Sequence, residues 1–181
     1  MLSGPTGTGK TELILLMAKH LGVPVHVYDM GALHDPMSAL LGTHRIDAAG
    51  TSEFDYARFT QDIAKPGIIV LDELSRAPLS TNNILFPCLD SRRELPVEIA
   101  SAKGTRNIKV HPDCVFYATA NIGAEYTGTN MIDRALQDRF FMVELDYLPI
   151  KTETEILGKR TGVDRKQGEI ITSYCKKIRD R

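Results

Sequence analysis

Two spacings of apolar residues alternate along the chain, one typical of amphipathic helices and one typical of buried strands. Helical spacing predicts helices at 10–21, 80–89, 150–159 and 167–178, and shorter ones at 35–41, 53–64 and 131–137. Short β-branched or continuous apolar runs predict strands at 23–28, 67–71, 115–120 and 140–145. Residues 94–110 alternate around a Lys-Gly-Thr turn and predict a β-hairpin, whereas the polar, glycine-containing residues 42–52 predict a loop or an insertion.

The alternation of strands with helices predicts an α/β fold, in which helices cover both faces of a parallel sheet. The continuous apolar run at 67–71 suits a strand that is buried on both of its faces. We expect an α/β core at 1–149. The two amphipathic helices that follow, at 150–181, are expected to form part of a small helical lid.

Composition narrows the choice of partner and compartment. The 181 residues are 43% hydrophobic and 25% charged, with a formal net charge of −1. This balance is that of an ordinary globular protein and gives no whole-chain field that would favour nucleic acid or an anionic membrane. No stretch approaches the ~20 apolar residues of a membrane span. Cys88, Cys114 and Cys175 stand far apart, which is typical of reduced thiols in a cytoplasmic protein.

The strongest chemical signal is a glycine-rich loop directly before the first predicted helix. The residues that match the phosphate-binding pattern GxxxxGK[ST] are Gly4, Pro5, Thr6, Gly7, Thr8, Gly9, Lys10 and Thr11. Glycines let successive backbone N–H groups turn toward a polyphosphate, and the following helix points its positive end at the same anion. Lys10 is predicted to contact the β- and γ-phosphates of ATP, and Thr11 to offer its hydroxyl to Mg²⁺. The complete match outweighs a chance glycine-rich turn.

A second signal is a pair of acids at the end of the apolar run. Asp72 and Glu73 follow the strand predicted at 67–71, and ligands bind at the carboxyl ends of strands in open α/β sheets. Asp72 is predicted to hold Mg²⁺, through water, and Glu73 to polarise the attacking water. A strand-end turn or a helix cap is the alternative for two such acids alone, but their place downstream of the phosphate-binding loop favours the catalytic interpretation.

A third signal is Asn121, which follows the strand predicted at 115–120. Its amide could orient the attacking water and sense the γ-phosphate. The alternative is an asparagine that only forms a turn, the commonest use of Asn after a strand. The neighbouring motifs favour the functional interpretation.

Two arginines flank the short helix before the last predicted strand. Arg134 and Arg139 could each act as an arginine finger, which stabilises negative charge on the γ-phosphate in the transition state. The alternative is surface ion pairing with Asp133 and Asp138. Arg139 is the better candidate of the two.

Taken together and in order, GPTGTGKT, IIVLDE, ATAN and ALQDRF resemble the motifs of AAA+ ATPases. LDELSRAP followed by TNNILFPCLDSR is similar to the MoxR-like branch of that family. The segment ATANIGAEYTGTNMIDRALQDRF looks closer still to the cobaltochelatase small-subunit group and its CbbQ and NorQ relatives. The resemblance covers residues 4–149.

This resemblance implies a P-loop sheet of order 5-1-4-3-2, a helical lid and a ring, usually a hexamer, with ATP bound between subunits. It also implies ATP rather than GTP. The residues expected to act within one subunit are Lys10, Thr11, Asp72, Glu73 and Asn121. Arg139 is expected to reach the site of the neighbouring subunit.

The MoxR-like branch also implies a role for the ring. Its members typically remodel or activate a partner protein, often one with a von Willebrand A domain. The insertion at 42–52 and the hairpin at 94–110 are then expected to face the partner or the central pore.

The two ends of the chain depart from the family pattern. Only Met1, Leu2 and Ser3 precede the loop, so most of the first strand is expected to be missing, which would expose sheet edges. The chain stops at Arg181, short of a convincing sensor 2 arginine. We therefore expect a fragment or a late start.

Three functions are compatible with these observations. The first is a ring ATPase that remodels a partner, and the second is a nucleotide-gated assembly module with little hydrolysis. The third is a motor or loader acting on nucleic acid. The basic cluster at 165–181 is the only support for the third, and a solvated lid helix explains that cluster better.

Replacing Lys10 by alanine is expected to abolish nucleotide binding or turnover, because the loop would lose the ammonium that faces the phosphates. Nucleotide binding and phosphate release from Mg-ATP measure the two effects. Turnover at the wild-type rate by the Lys10→Ala protein would contradict the assignment.

Overall fold

The computed structural model of the protein describes residues 1–46, 48, 50, 52–98, 105–121 and 132–179. In chain order the strands are β1 (Leu2–Ser3), β2 (Val25–Asp29), β3 (Gly42–Ile46), β4 (Ser52–Tyr56), β5 (Gly67–Asp72), β6 (Glu94–Glu98), β7 (Thr105–Lys109), β8 (Cys114–Ala120) and β9 (Val143–Glu144). The helices are α1 (Lys10–Leu21), α2 (Arg58–Ile63), α3 (Thr81–Leu89), α4 (Arg134–Gln137), α5 (Ile150–Thr161) and α6 (Arg165–Arg179). The chain divides into two compact units, Met1–Leu145 and Asp146–Arg181.

A five-stranded parallel sheet organises the first unit. Its order is β2-β5-β8-β1-β9. When only these five strands are numbered along the chain, the order is the 5-1-4-3-2 that the resemblance implied, and the predicted α/β P-loop fold is confirmed. The first strand consists of Leu2–Ser3, and these two residues pair with β8 on one side and with β9 on the other.

The sheet is covered on both faces, as the apolar run in β5 predicted. Ile68, Ile69, Val70 and Leu71 are all at most 5% exposed. Successive side chains of a strand point to opposite faces, and accordingly Ile69 and Leu71 join one apolar cluster while Ile68 and Val70 join another. The second cluster includes Ile14 and Ala18 of α1, so the helix that follows the glycine-rich loop covers one face of β5.

Helix α1 begins and ends at glycines, with the bounds predicted from its apolar spacing. Gly9 precedes it with φ 81° and Gly22 follows it with φ 67°, both in the left-handed region. The N–H of Gly22 donates to the carbonyls of Ala18 and Lys19, which closes the helix in the usual manner of a C-terminal glycine.

The predictions for residues 42–52 and 53–64 were wrong in part. Residues predicted as a loop and as the start of a helix form the antiparallel pair β3 and β4, and the helix is limited to α2. A strand forms here because Phe54 and Tyr56 are two residues apart, and residues with that spacing share one face of a strand, in this case β4. The two rings pack edge to face at 5.1 Å, and His44 packs against Phe54 at the same distance.

Other predicted elements keep their type with shifted bounds. The two strands of the hairpin predicted at 94–110 are confirmed as antiparallel β6 and β7, with Glu94 opposite Lys109, while residues 103 and 104 of its predicted turn lie outside the described residues. The short helix predicted at 35–41 is a π-helical turn, Met37–Leu41. The helix predicted at 131–137 is α4, and Met131 lies outside the described residues. The strand predicted at 140–145 is reduced to β9.

The second unit contains α5 and α6, which contact each other through small side chains. The hydroxyls of Thr154 and Thr172 lie 3.0 Å apart and are buried. A Cβ on Gly168 would meet the Thr154 methyl at 3.1 Å, so the helices approach closely at small residues. Within the described part of the chain, no helix is both long enough and apolar enough to span a bilayer.

Gly42→Ala is expected to destabilise the protein by about 3 kcal/mol, because φ is 133° and the new Cβ would lie 2.1 Å from the carbonyl oxygen of Asp55. The matched control is Gly22→Ala, where φ is 67° but nothing lies within 4 Å of the new Cβ. It should lose only about 1 kcal/mol from the left-handed backbone. Urea unfolding of both variants measures the difference, and equal losses would contradict the close contact.

Candidate functional site

A cleft of about 190 Å³ opens where the glycine-rich loop meets the carboxyl ends of β5 and β8. Its lining comes from the loop, from the first turn of α1 and from residues at or just after the two strand ends. These residues are Thr6, Gly7, Gly9, Lys10, Thr11, Glu12, Asp72, Glu73, Thr119 and Asn121. The structure therefore brings together the loop, the acid pair and the amide that the sequence analysis singled out separately.

Glycine is required in the loop for two different reasons. Gly7 and Gly9 have φ values of 84° and 81°, and nothing lies within 4 Å of a Cβ built on either. Glycine is needed at these two positions because the backbone there is left-handed. This conformation leaves the loop open toward the cleft. At Gly4 the reason is crowding, because a Cβ would lie 2.0 Å from the carbonyl oxygen of Leu145. The hydroxyl of Thr8 donates to the carbonyl of Pro5 at 3.0 Å and braces the loop internally.

Lys10 is held against the loop that it follows. Its Nζ donates to the carbonyl oxygens of Gly4, at 3.0 Å, and Pro5, at 2.8 Å, and the residue is 8% exposed. Burial lowers the pKa of Lys10, and the nearby carboxylates of Asp72 and Glu73 act in the opposite direction. The ammonium thus stands beside the glycine-rich loop at the start of α1, and a loop of this kind before a helix suits a polyphosphate.

Thr11 and Asp72 meet across the cleft. The Thr11 hydroxyl donates to Oδ1 of Asp72 at 2.7 Å, so one hydroxyl oxygen and one carboxylate lie side by side. Mg²⁺ prefers hard oxygen ligands and is usually bound through one or two protein oxygens, with waters and substrate phosphates completing the shell. The oxygens of Thr11 and Asp72 fit that ion.

Glu73 has a backbone conformation that is rare outside glycine, with φ 54° and ψ 41°. Its N–H donates to the Thr119 hydroxyl at 3.0 Å. Its carboxylate lies 3.4 Å from the Arg76 guanidinium, and both side chains are partly exposed. The sequence analysis missed Thr119 and Arg76. For Thr119 a signal was present, since it lies two residues before Asn121 and therefore on the same face of the strand end.

Asn121 lines the cleft and is 8% exposed.

Arg139 is exposed and is not among the described residues that line the cleft. Its Nη1 donates to the carbonyl of Ala135 at 2.5 Å, and its guanidinium lies 4.6 Å from the centroid of the Phe86 ring. Arg134 begins α4, where the carboxylate of Asp133 accepts a bond from the Ala135 N–H at 2.7 Å and caps the helix.

Several curated proteins are similar to this chain over nearly all of its length. The candidate chaperone BssE of Thauera aromatica is 32% identical over 99% of the chain. Protein NorQ of Paracoccus denitrificans is 29% identical over 99%, and Protein CbbQ of Hydrogenophilus thermoluteolus is 31% identical over 91%. The chain spans 61%, 64% and 59% of the length of these relatives. The predicted resemblance to the MoxR-like branch is confirmed.

A solved structure shares the fold. The crystal structure of a candidate ATPase from Cytophaga hutchinsonii superposes with a TM-score of 0.63 and 22% identity, over 95% of this chain and 52% of that one. The family profile for the AAA domain of the dynein-related subfamily matches residues 1–140. The chain therefore belongs to the AAA domain family.

Proposed function

We propose that this chain binds Mg-ATP in the cleft and hydrolyses the bond between its β- and γ-phosphates. The observation that carries the proposal is the convergence of Lys10, Thr11, Asp72, Glu73 and Asn121 on one cleft behind an open glycine loop. Phosphate binding and metal binding need the first three of these residues. Hydrolysis needs in addition an acceptor for the proton of water, and Glu73 supplies a carboxylate for it.

Each of these residues then has a separate task. The loop N–H groups and Lys10 bind the phosphate oxygens, and a bond from the ammonium to a phosphate oxygen joins two charged groups and is stronger than its bonds to the neutral loop carbonyls. Thr11 and Asp72 hold Mg²⁺, which when bound neutralises charge on the phosphates. Glu73 polarises and deprotonates the attacking water. Asn121 orients that water beside the γ-phosphate.

Arg139 acts on the neighbouring subunit in this proposal. It is exposed, it stands outside the described lining of its own cleft, and its backbone anchor is the last turn of α4. An arginine delivered from an adjacent subunit would stabilise charge on the transferring phosphoryl group. The active form is then a ring, usually a hexamer in this family, with each site completed by its neighbour.

The work done by hydrolysis is proposed to be the remodelling or activation of a partner protein in the cytoplasm. The support is the likeness to MoxR-like relatives, one of which is named as a candidate chaperone. A partner with a von Willebrand A domain is proposed on that resemblance alone. The β3–β4 and β6–β7 hairpins are the proposed contact surface.

Glu73→Gln is expected to lower phosphate release by at least about a hundredfold while Mg-ATP binding persists, because the amide cannot accept the proton of water. Phosphate release and nucleotide binding are measured on the same preparation. Glu155→Gln, an exposed carboxylate on α5, is the control and should behave as wild type. If Glu73→Gln keeps wild-type turnover, Glu73 is not the base. Tight ATP binding without release by the wild type would instead favour a nucleotide-gated assembly module.

Specific activity is expected to rise steeply with protein concentration, because each site needs a second subunit.

Arg139→Ala should lower turnover by about a thousandfold, with Arg134→Ala run alongside to separate the two candidate arginines. Mixing Arg139→Ala with Lys10→Ala should restore part of the turnover, since a mixed interface joins an intact cleft to an intact arginine. A mixture that stays as inactive as its components would argue against action between subunits, and salt-sensitive DNA binding would favour a nucleic-acid motor.

A further inference from the structure

We propose that Thr119 is a positioning residue that fixes the metal-binding Asp72 and the water-activating Glu73 relative to each other. The inference deepens the proposed function and depends on it for the roles of the two acids. Its own basis is a single hydroxyl that bonds to both residues.

The Thr119 hydroxyl makes two bonds of opposite sense. Its oxygen donates to Oδ1 of Asp72 at 2.5 Å and accepts the backbone N–H of Glu73 at 3.0 Å. Only a group that is donor and acceptor at once can do both, and a hydroxyl is the smallest such side-chain group. Thr119 is 2% exposed, so water does not compete freely for either bond.

The register of the sheet explains why this residue reaches both acids. In the β5–β8 pair, Leu71 is opposite Ala118, so the next residues on the two strands, Asp72 and Thr119, are neighbours. On its other side Thr119 pairs with Leu2 of β1. Because β8 pairs with a strand on each side, the backbone of Thr119 is fixed. Its hydroxyl therefore has a fixed position next to the turn after β5.

That turn needs support. A left-handed conformation at a residue other than glycine is unfavourable, and Glu73 and Arg93 are the non-glycine residues with positive φ that the described part of the chain contains. The bond from the Glu73 N–H to Thr119 satisfies a backbone donor that leaves the β5 ladder at this point. It thereby sets the direction in which the Glu73 side chain leaves the backbone.

The same bond network sets Asp72. Its Oδ1 accepts from Thr119 and from Thr11, so one carboxylate oxygen is held by two hydroxyls. Outer partners of this kind orient a ligand for a metal ion, and their loss typically costs about 10- to 100-fold in metal affinity or activity. Loss of the Thr119 hydroxyl should therefore affect the Mg²⁺ requirement and the chemical step together.

The test compares Thr119→Val, which keeps the shape and loses both bonds, with Thr119→Ser, which keeps the hydroxyl. Thr119→Val is expected to lower kcat by about 10- to 100-fold and to raise the Mg²⁺ concentration for half-maximal turnover, with KM for ATP changed less than about threefold. Thr119→Ser should stay within about threefold of wild type in all three. Thr60→Val is the matched control, because Thr60 is also 2% exposed and its hydroxyl bonds to the carbonyls of Leu40 and Leu41.

The outcomes distinguish a role of Thr119 in positioning the two acids from a role in fold stability alone. Thr60→Val should lower the unfolding midpoint without changing the Mg²⁺ dependence. Equal loss of activity in Thr119→Val and Thr119→Ser, or wild-type kinetics in Thr119→Val, would overturn the proposal. If the wild type itself releases no phosphate, the proposed function fails, and Thr119 is then judged by nucleotide binding. The gain in ATP affinity on adding Mg²⁺ should shrink in Thr119→Val but not in Thr119→Ser, and an unchanged gain in both would overturn it.

Discussion

The parallel pairing of β5 with β8 is the constraint on which the cleft depends. β5 is buried along Ile68–Leu71, and full burial of each such side chain stabilises the fold by about 1.5–3 kcal/mol. A slip of this strand by one residue would either draw the carboxylate of Asp72 into the buried stretch or push Leu71 out of it, and both changes are costly. The register is thus strongly specified, and with it the place where Asp72 and Glu73 leave the sheet, beside Thr119 and Asn121.

The glycine-rich loop meets this edge through α1. Ile14 and Ala18 are fully buried against the β5 face that carries Ile68 and Val70, and they fix the helix on the sheet. Lys10 and Thr11 form the first turn of the same helix. Their distance from Asp72 is therefore set by core packing three to eight residues away, and the 2.7 Å bond from Thr11 to Asp72 is a consequence of that packing. A loss of packing under α1 would misplace together the residues that are proposed to bind phosphate and metal.

Much of this arrangement could be predicted from the sequence because its signals are local. The pattern of the loop, the bounds of α1 and the run ending in Asp72 are each contained in a dozen residues. The order of the strands came from resemblance, not from spacing. Residues 42–57 were misjudged because Phe54 was taken with Ala57 and Ala64 at helical spacing, whereas Phe54 and Tyr56 lie two residues apart on one face of β4. Thr119 was missed because its importance arises from the register between two strands that are distant in sequence.

The two partners of Glu73 differ in how firmly they hold it, and the difference bears on mechanism. Arg76 and Glu73 are 44% and 40% exposed, and an ion pair of that exposure contributes only about 0–1 kcal/mol. The carboxylate can therefore leave Arg76 for a water molecule at little cost. The bond from the Glu73 N–H, by contrast, is made to the Thr119 hydroxyl, which is buried away from solvent. The structure thus combines a fixed backbone at Glu73 with a loosely held carboxylate, which is the combination that a base requires if it must stay in place while its side chain reorients during each turnover.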